Sequence, residues 1–242
     1  MPIERKLRPF FYFYGGKYRA APRYPEPRYD TIIEPFAGSA GYSLRYHDKD
    51  VILVDKDPNI VNTWRYLIRV TPNEIRSLPD VLAGQTVDDF SICEEARILI
   101  GWWLNAATTR PMKSPSKWMR GKTRPSSFWG PEIRHRLANQ VESIRHWRII
   151  EGGYECAPDI EATWVIDPPY AESGKHYRYG SRDIDYASLA NWCKLRKGQT
   201  MVCEQAGADW LPFRKFMDIR ANPSCRGKGV SKEILWERSD QG

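Results

Sequence analysis

Asp167, Pro168, Pro169 and Tyr170 stand directly behind an apolar run, Trp164-Val165-Ile166. The run reads as a strand covered on both faces, and two prolines forbid further ladder pairing while fixing the backbone direction. In an open α/β sheet, ligands sit just beyond the carboxyl ends of the strands. A carboxylate, a rigid carbonyl and an aromatic ring held at such a point suit one task in particular. An exocyclic amine on an aromatic base is a poor nucleophile, because its lone pair is delocalised into the ring. Holding both of its N–H groups with acceptors releases that lone pair toward an electrophile. Asp167 supplies one acceptor and the Pro168 carbonyl, stiffened by Pro169, supplies the other. Tyr170 offers a face on which the base can stack. A strand-ending Asp with a capping role explains the acid alone.

A second constellation lies nearer the N-terminus. Glu34-Pro35-Phe36-Ala37-Gly38-Ser39-Ala40-Gly41 follows the short apolar run Thr31-Ile32-Ile33, and a second run, Val51 to Val54, ends in Asp55. An acid at that point can accept both hydroxyls of a ribose, although Asp57 beside it makes helix capping a competing reading for Asp55. The turn is not G-x-G-x-x-G and lacks the Lys-Ser/Thr of a phosphate-cradling loop. A nucleoside with an amino-acid tail therefore fits better than a nucleotide, which points to S-adenosylmethionine. Glu34, Phe36, Ala37, Gly38, Ser39 and Asp55 are the expected cofactor-binding residues. Tyr14-Gly15-Gly16-Lys17 joins them, since the glycines allow close backbone approach and Lys17 can pair with a carboxylate. On local grounds an ordinary turn with a surface lysine explains that tetrapeptide equally well.

The elements that must position these groups alternate. Residues 31–37 and 51–55 read as strands, with helices predicted over 42–49 and over 58–70, the latter with Ile60, Trp64, Leu67 and Ile68 at helical spacing. Residues 91–107 and 131–147 predict two further helices, separated by a breaker-rich loop. Strands then resume at 147–153, 164–166 and 199–207, with a helix around 185–197. The C-terminal segment reads as two strands joined by a basic loop that contains Arg226. The pattern predicts an α/β, doubly wound, mostly parallel sheet. Residues 1–70 and 147–242 form the catalytic domain in this reading, and 71–146 a helical, basic insertion.

Of 242 residues, 13% are aromatic, enough for a large core without disulfides. The five cysteines show no C-x-x-C spacing and the four histidines are scattered, so no metal site and a reducing, cytoplasmic setting are expected. No apolar run is long enough to span a membrane, and a monomer is expected. The net charge of +7 fits a polyanionic partner. Between Arg110 and Arg148 ten Lys/Arg stand against Glu132 and Glu142, interleaved with Trp118, Phe128, Trp129 and Trp147. Arg110, Lys113, Lys117, Arg120, Lys122, Arg124, Trp129 and Arg226 are the candidate nucleic-acid contacts.

Taken in order, Tyr14-Gly15-Gly16-Lys17, Glu34-Pro35-Phe36-Ala37-Gly38, Asp55, Asp167-Pro168-Pro169-Tyr170 and the closing Arg226 to Trp236 resemble the Dam-type DNA adenine-N6 methyltransferases. The resemblance covers most of the chain outside residues 71–130. It implies an S-adenosylmethionine-dependent methyltransferase fold, adenine methylation in double-stranded DNA with base flipping, and target recognition in the insertion. Such enzymes serve restriction–modification, and the short insertion predicts a short or relaxed recognition sequence. Two departures stand out. Ala40 replaces a frequent glycine, which is expected to cost little, and Gly152-Gly153-Tyr154 supplies a ring without the acid that often precedes it. Methylation of RNA or of a glutamine amide, and a catalytically silent nucleic-acid-binding protein, are the alternatives.

Overall fold

Ile32 and Ile33 are both wholly buried, yet they belong to different cores, because neighbouring strand residues face opposite sides of a sheet. They lie in β1 (Thr31–Glu34), near the middle of a seven-stranded sheet. The other strands are β2 (Asp50–Asp55), β3 (Arg148–Glu151), β4 (Ala162–Ile166), β5 (Gly198–Gln205), β6 (Arg214–Arg220) and β7 (Val230–Ser239). In space they run β3-β2-β1-β4-β5-β7-β6. The first five are parallel, and β7 runs antiparallel between β5 and β6. The computed structural model describes residues 6–105, 108–120, 128–220 and 230–239. The molecule is thus an α/β protein with a mixed, mostly parallel sheet.

One face of the sheet buries Ile32, Leu53, Val165 and Met201 against α1 (Pro58–Arg69), α3 (Glu94–Trp103), α5 (Pro131–Ala138) and the N-terminal Phe10 and Phe11. The other buries Ile33, Val54, Trp164 and Val202 against α6 (Tyr186–Lys194). Every residue of β4 is buried, which is why its sequence is apolar but for the hydrogen-bonded Thr163 rather than alternating. Trp164 also donates from its indole to the Lys197 carbonyl at 2.9 Å, so its burial leaves no unpaired polar group. Residues 71–146 contain α2 (Pro72–Ser77), α3, α4 (Lys117–Arg120) and α5. Their Ile75, Trp102, Trp103, Ile133 and Leu137 share one core with Trp64 and Leu67 of α1. This segment is built into the main core rather than hung from it.

Three expected helices are shorter than the sequence predicts. Residues 42–49 make only a 3₁₀ turn, Ser43–Arg45, because Ala40 enters it at φ +49° and the Tyr42 hydroxyl is held by the Pro25 carbonyl at 2.7 Å. The helix expected over 131–147 breaks after Ala138. There Gln140 exchanges two hydrogen bonds with the Arg8 backbone, at 2.8 and 3.1 Å, and this long-range tie outweighs local helical spacing. The helix expected over 91–107 ends at Trp103. Among the described residues, no helix is long and apolar enough to cross a membrane, and no cluster of three His, Cys, Asp or Glu side chains could hold a metal ion.

Candidate functional site

β1 and β4 are neighbours whose connections leave in opposite directions, and the crevice beyond their carboxyl ends is where an open α/β sheet binds its ligand. Three turns meet there. The first follows β1 and is stitched to the end of β2: Ala37 donates its amide to the Val54 carbonyl at 3.0 Å, and Gly38 donates to Asp55 Oδ2 at 3.0 Å. Asp55 Oδ1 accepts the Asp57 amide at 2.8 Å. Asp57, in turn, accepts from the Asn59 amide and caps α1. The two acids therefore divide the roles that the sequence left open. Asp57 is the cap, and Asp55 ties down the glycine turn with acceptor sites to spare. Burial pushes Asp55 up to about 6, against the pull of its backbone donors.

The second turn is Tyr14 to Lys17. It packs so tightly on the first that a Cβ on Gly41 would lie 2.5 Å from the Tyr18 nitrogen and 2.8 Å from the Lys17 carbonyl carbon. Gly15 has φ +78°, and a Cβ there would meet the Tyr177 hydroxyl at 2.3 Å. A side chain at Gly41 would force the turns apart, and one at Gly15 would displace Tyr177 and strain the backbone. Tyr177 seals this junction by donating to the Tyr14 carbonyl at 3.2 Å, while Arg178 lies 3.6 Å from Asp57.

The third turn is Asp167 to Tyr170, with Pro168 buried and the other three residues half-buried. Lys17 Nζ sits 3.0 Å from Asp167 Oδ1 and 3.7 Å from Glu233 Oε1, and 4.8 Å from the centre of the Tyr170 ring. Glu233 receives the Tyr170 hydroxyl on Oε1 at 3.0 Å and the Tyr24 hydroxyl on Oε2 at 2.9 Å. Burial raises Asp167 to about 6, Lys17 opposes that rise, and Glu233 reinforces it. For Lys17, burial alone would lower the ammonium. Asp167, Tyr170 and Glu233 outweigh burial and hold it well above the ordinary lysine range. The Pro169 carbonyl is occupied by the Tyr186 hydroxyl. Among the described residues nothing donates to the Pro168 carbonyl, so it keeps its acceptor capacity.

Several site residues stand differently from the sequence expectation. Glu34 is 5% exposed and spends Oε1 on the Ser43 amide at 2.8 Å, so it braces the turn instead of lining the crevice. Lys17 belongs to the acid cluster around Asp167 and not to the Asp55 end. Ser39 and Ala37 are buried beneath the turn, whereas Phe36 is partly exposed, with its ring 5.8 Å from Tyr154. Ala40, expected to cost little, occupies the left-handed region, which an L side chain resists by about 1–2 kcal/mol.

Glu233 escaped the sequence reading. Its signal was an acid two residues from Leu235, and therefore on the same strand face as a fully buried leucine. An exposed carboxylate stands beside Gly153, where the expected acid is missing. A Cβ on Gly153 would lie 2.1 Å from Glu155 Oε2, so the Glu155 carboxylate fills the space of a side chain at 153.

The nucleic-acid candidates divide as well. Trp129 is 4% exposed and donates its indole to the Pro79 carbonyl at 2.7 Å, so it is a core residue and not a contact. Lys113 is paired with Asp88 at 2.6 Å. Within the same stretch, Arg134 pairs with Asp80, Arg145 donates to the Ile68 and Val70 carbonyls at the end of α1, and Arg148 pairs with Asp50. Arg110 and Lys117 remain exposed. Lys122, Arg124 and Arg226 lie outside the described residues, as does the side chain of Arg120. No protein-family model matches the chain, and no curated protein matches it.

Proposed function

We propose that the protein transfers a methyl group from S-adenosylmethionine to the exocyclic N6 of an adenine in double-stranded DNA, taken out of the base stack. What carries the reading is the placement of Asp167 and the unclaimed Pro168 carbonyl, on the rigid end of β4, beside the glycine turn that Asp55 secures. Asp55 retains lone pairs for ribose hydroxyls, Phe36 and Tyr154 offer an aromatic wall for a nucleobase, and Glu155 brings a carboxylate to the end of β3. These residues fit an adenosine moiety. The cofactor would supply an electrophilic methyl on a sulfonium.

The chain's own part is to prepare the nucleophile. Asp167 and the Pro168 carbonyl accept the two N–H groups of the amine, which turns its lone pair out of conjugation and toward the methyl carbon. A sulfonium methyl would be the electrophile that this amine meets, and Asp167 would take the surplus amine proton. A carboxylate with a pKa of about 6 is basic enough to receive it and still ionised at neutral pH. Lys17 must leave Asp167 for this to happen, and Glu233 stands ready to keep it.

The test is transfer of labelled methyl from S-adenosylmethionine to duplex DNA, single-stranded DNA and RNA, followed by digestion and separation of nucleosides. N6-methyladenine from duplex DNA is the expected product. Label in RNA alone would move the substrate, and no label in any polynucleotide would overturn the reading.

A further inference from the structure

The insertion spends much of its positive charge internally, whereas Lys6, Arg19 and Arg45, with Tyr18 and Pro22, bound a cavity of about 220 Å³. No acid lines it, and none of its three cations forms an ion pair with a described residue. A further cation lies within electrostatic reach of its Tyr18. Arg136, packed over Trp103 at 4.9 Å, lies close enough to Arg8 and Tyr18 to feel both. Like charges gathered without a counter-ion repel one another, and a bound anion is what relieves them.

We propose that this cavity is a phosphodiester-binding site that grips the nucleic-acid backbone beside the target nucleotide. Two guanidinium forks and an ammonium over an apolar floor match phosphate oxygens. Arg45 is steadied by the Tyr46 ring, 5.9 Å away. The position is as telling as the charge. One 3₁₀ turn, Lys17–Arg19, sends Lys17 to Asp167 and places the next two residues on the cavity wall. The Cα of Arg19 therefore lies no more than about 8 Å from that of Lys17. Close packing of Gly41 on this backbone fixes the two ends relative to each other. A strand anchored by its phosphate in the cavity would thus be held on the same short turn that positions Lys17 against Asp167. A membrane surface is a poorer match, because none of the exposed large apolar residues Tyr14, Leu82, Ile160, Tyr179 and Leu195 lines the cavity.

The identity of the polymer rests on the proposed function, but the test reads binding and needs no methyl transfer. Fluorescence anisotropy with a labelled duplex would be run across a salt series for the full chain and for Arg19→Ala/Arg45→Ala. Loss of two phosphate contacts should flatten the log–log salt slope by about 1.8 and weaken binding about tenfold or more. Lys194→Ala/Lys215→Ala removes the same charge from exposed positions elsewhere and should leave the slope near that of the parent. Arg19→Lys/Arg45→Lys keeps charge but loses the forks, and should keep most of the slope while losing part of the affinity. Equal slopes for the two alanine pairs would overturn the site. Tighter binding to anionic vesicles than to duplex, abolished by Arg19→Ala/Arg45→Ala, would overturn it in favour of a lipid headgroup. A flattened slope in a protein that methylates no polynucleotide would keep the site and remove the proposed activity.

Discussion

The Lys17 ammonium lies 3.0 Å from Asp167 Oδ1, so the carboxylate assigned to a base amine already holds a cation. Glu233 stands 3.7 Å from the same ammonium with both of its oxygens anchored by tyrosine hydroxyls. Two acids share one base, and an incoming amine therefore has a place to send what it displaces.

Removing the acceptor should stop the chemistry and spare the cofactor. Asp167→Ala is expected to lower methyl transfer by about 10²–10³-fold, the scale of a lost preorganised polar partner. S-adenosylmethionine affinity should move little. Asp167→Asn keeps a carbonyl acceptor and should retain more activity than the alanine variant. Single-turnover kinetics with calorimetry on each protein checks both statements.

Glu233 should act through Lys17. With Glu233→Gln, the ammonium has one carboxylate left and competes harder for Asp167, so the rate should fall about tenfold or more. In a Lys17→Met background the same change should have far less effect. A double-mutant cycle on the transfer rate measures this coupling. Equal losses in both backgrounds would mean that Glu233 merely supports the fold.

The buried carboxyls oppose stability and activity across one pH window. Burial raises Asp55 and Asp167 to about 6 and Glu34 to about 7. Between pH 5 and 7.5 the folded chain keeps protons that the unfolded chain has released, so its stability falls as pH rises. At about 1.4 kcal/mol per pH unit of displaced titration and about 2–4 °C per kcal/mol, the ligand-free Tm should drop on the order of 10–20 °C. Methyl transfer needs ionised Asp167 and should rise through pH 6 over the same window. Calorimetric scans and a rate profile in matched buffers would show the two curves crossing.

Ala40 is a strained position that glycine would relieve. At φ +49°, Ala40→Gly should stabilise the protein by about 1 kcal/mol, or about 2–4 °C in Tm. Thermal unfolding decides the matter. A lower Tm would mean that the alanine methyl, fully buried in the core, contributes more than the strain costs.

Much of the architecture could be read in advance, for a physical reason. Strands buried on both faces must be apolar throughout, so Ile32 to Ile33, Val51 to Val54 and Trp164 to Ile166 announce themselves, and the acids and prolines that end them mark the sheet's carboxyl edge. Long-range partners are another matter. Nothing local to Gln140 tells that it will pair with Arg8, or local to Trp129 that it will bond to Pro79. Glu155 fills the place of a side chain at 153 only because the chain after β3 turns back on itself. Charge counted along the sequence misled for the same reason, since Arg134, Arg145 and Arg148 are each claimed by distant groups.

The position of β7 also sets the order in which the molecule can be assembled. β6 pairs with β7 alone, and β7 pairs with β5, so β6 has no place in the sheet until the later strand has been made. Glu233 rides on that same strand, and Lys17, Tyr24 and Tyr170 all wait for it. During synthesis at the ribosome the earlier segments can collapse into their cores while the acid cluster stays incomplete. A nascent chain could hold its glycine turn and its basic cavity before it could hold its charges in balance, and the last-made strand completes the acid cluster.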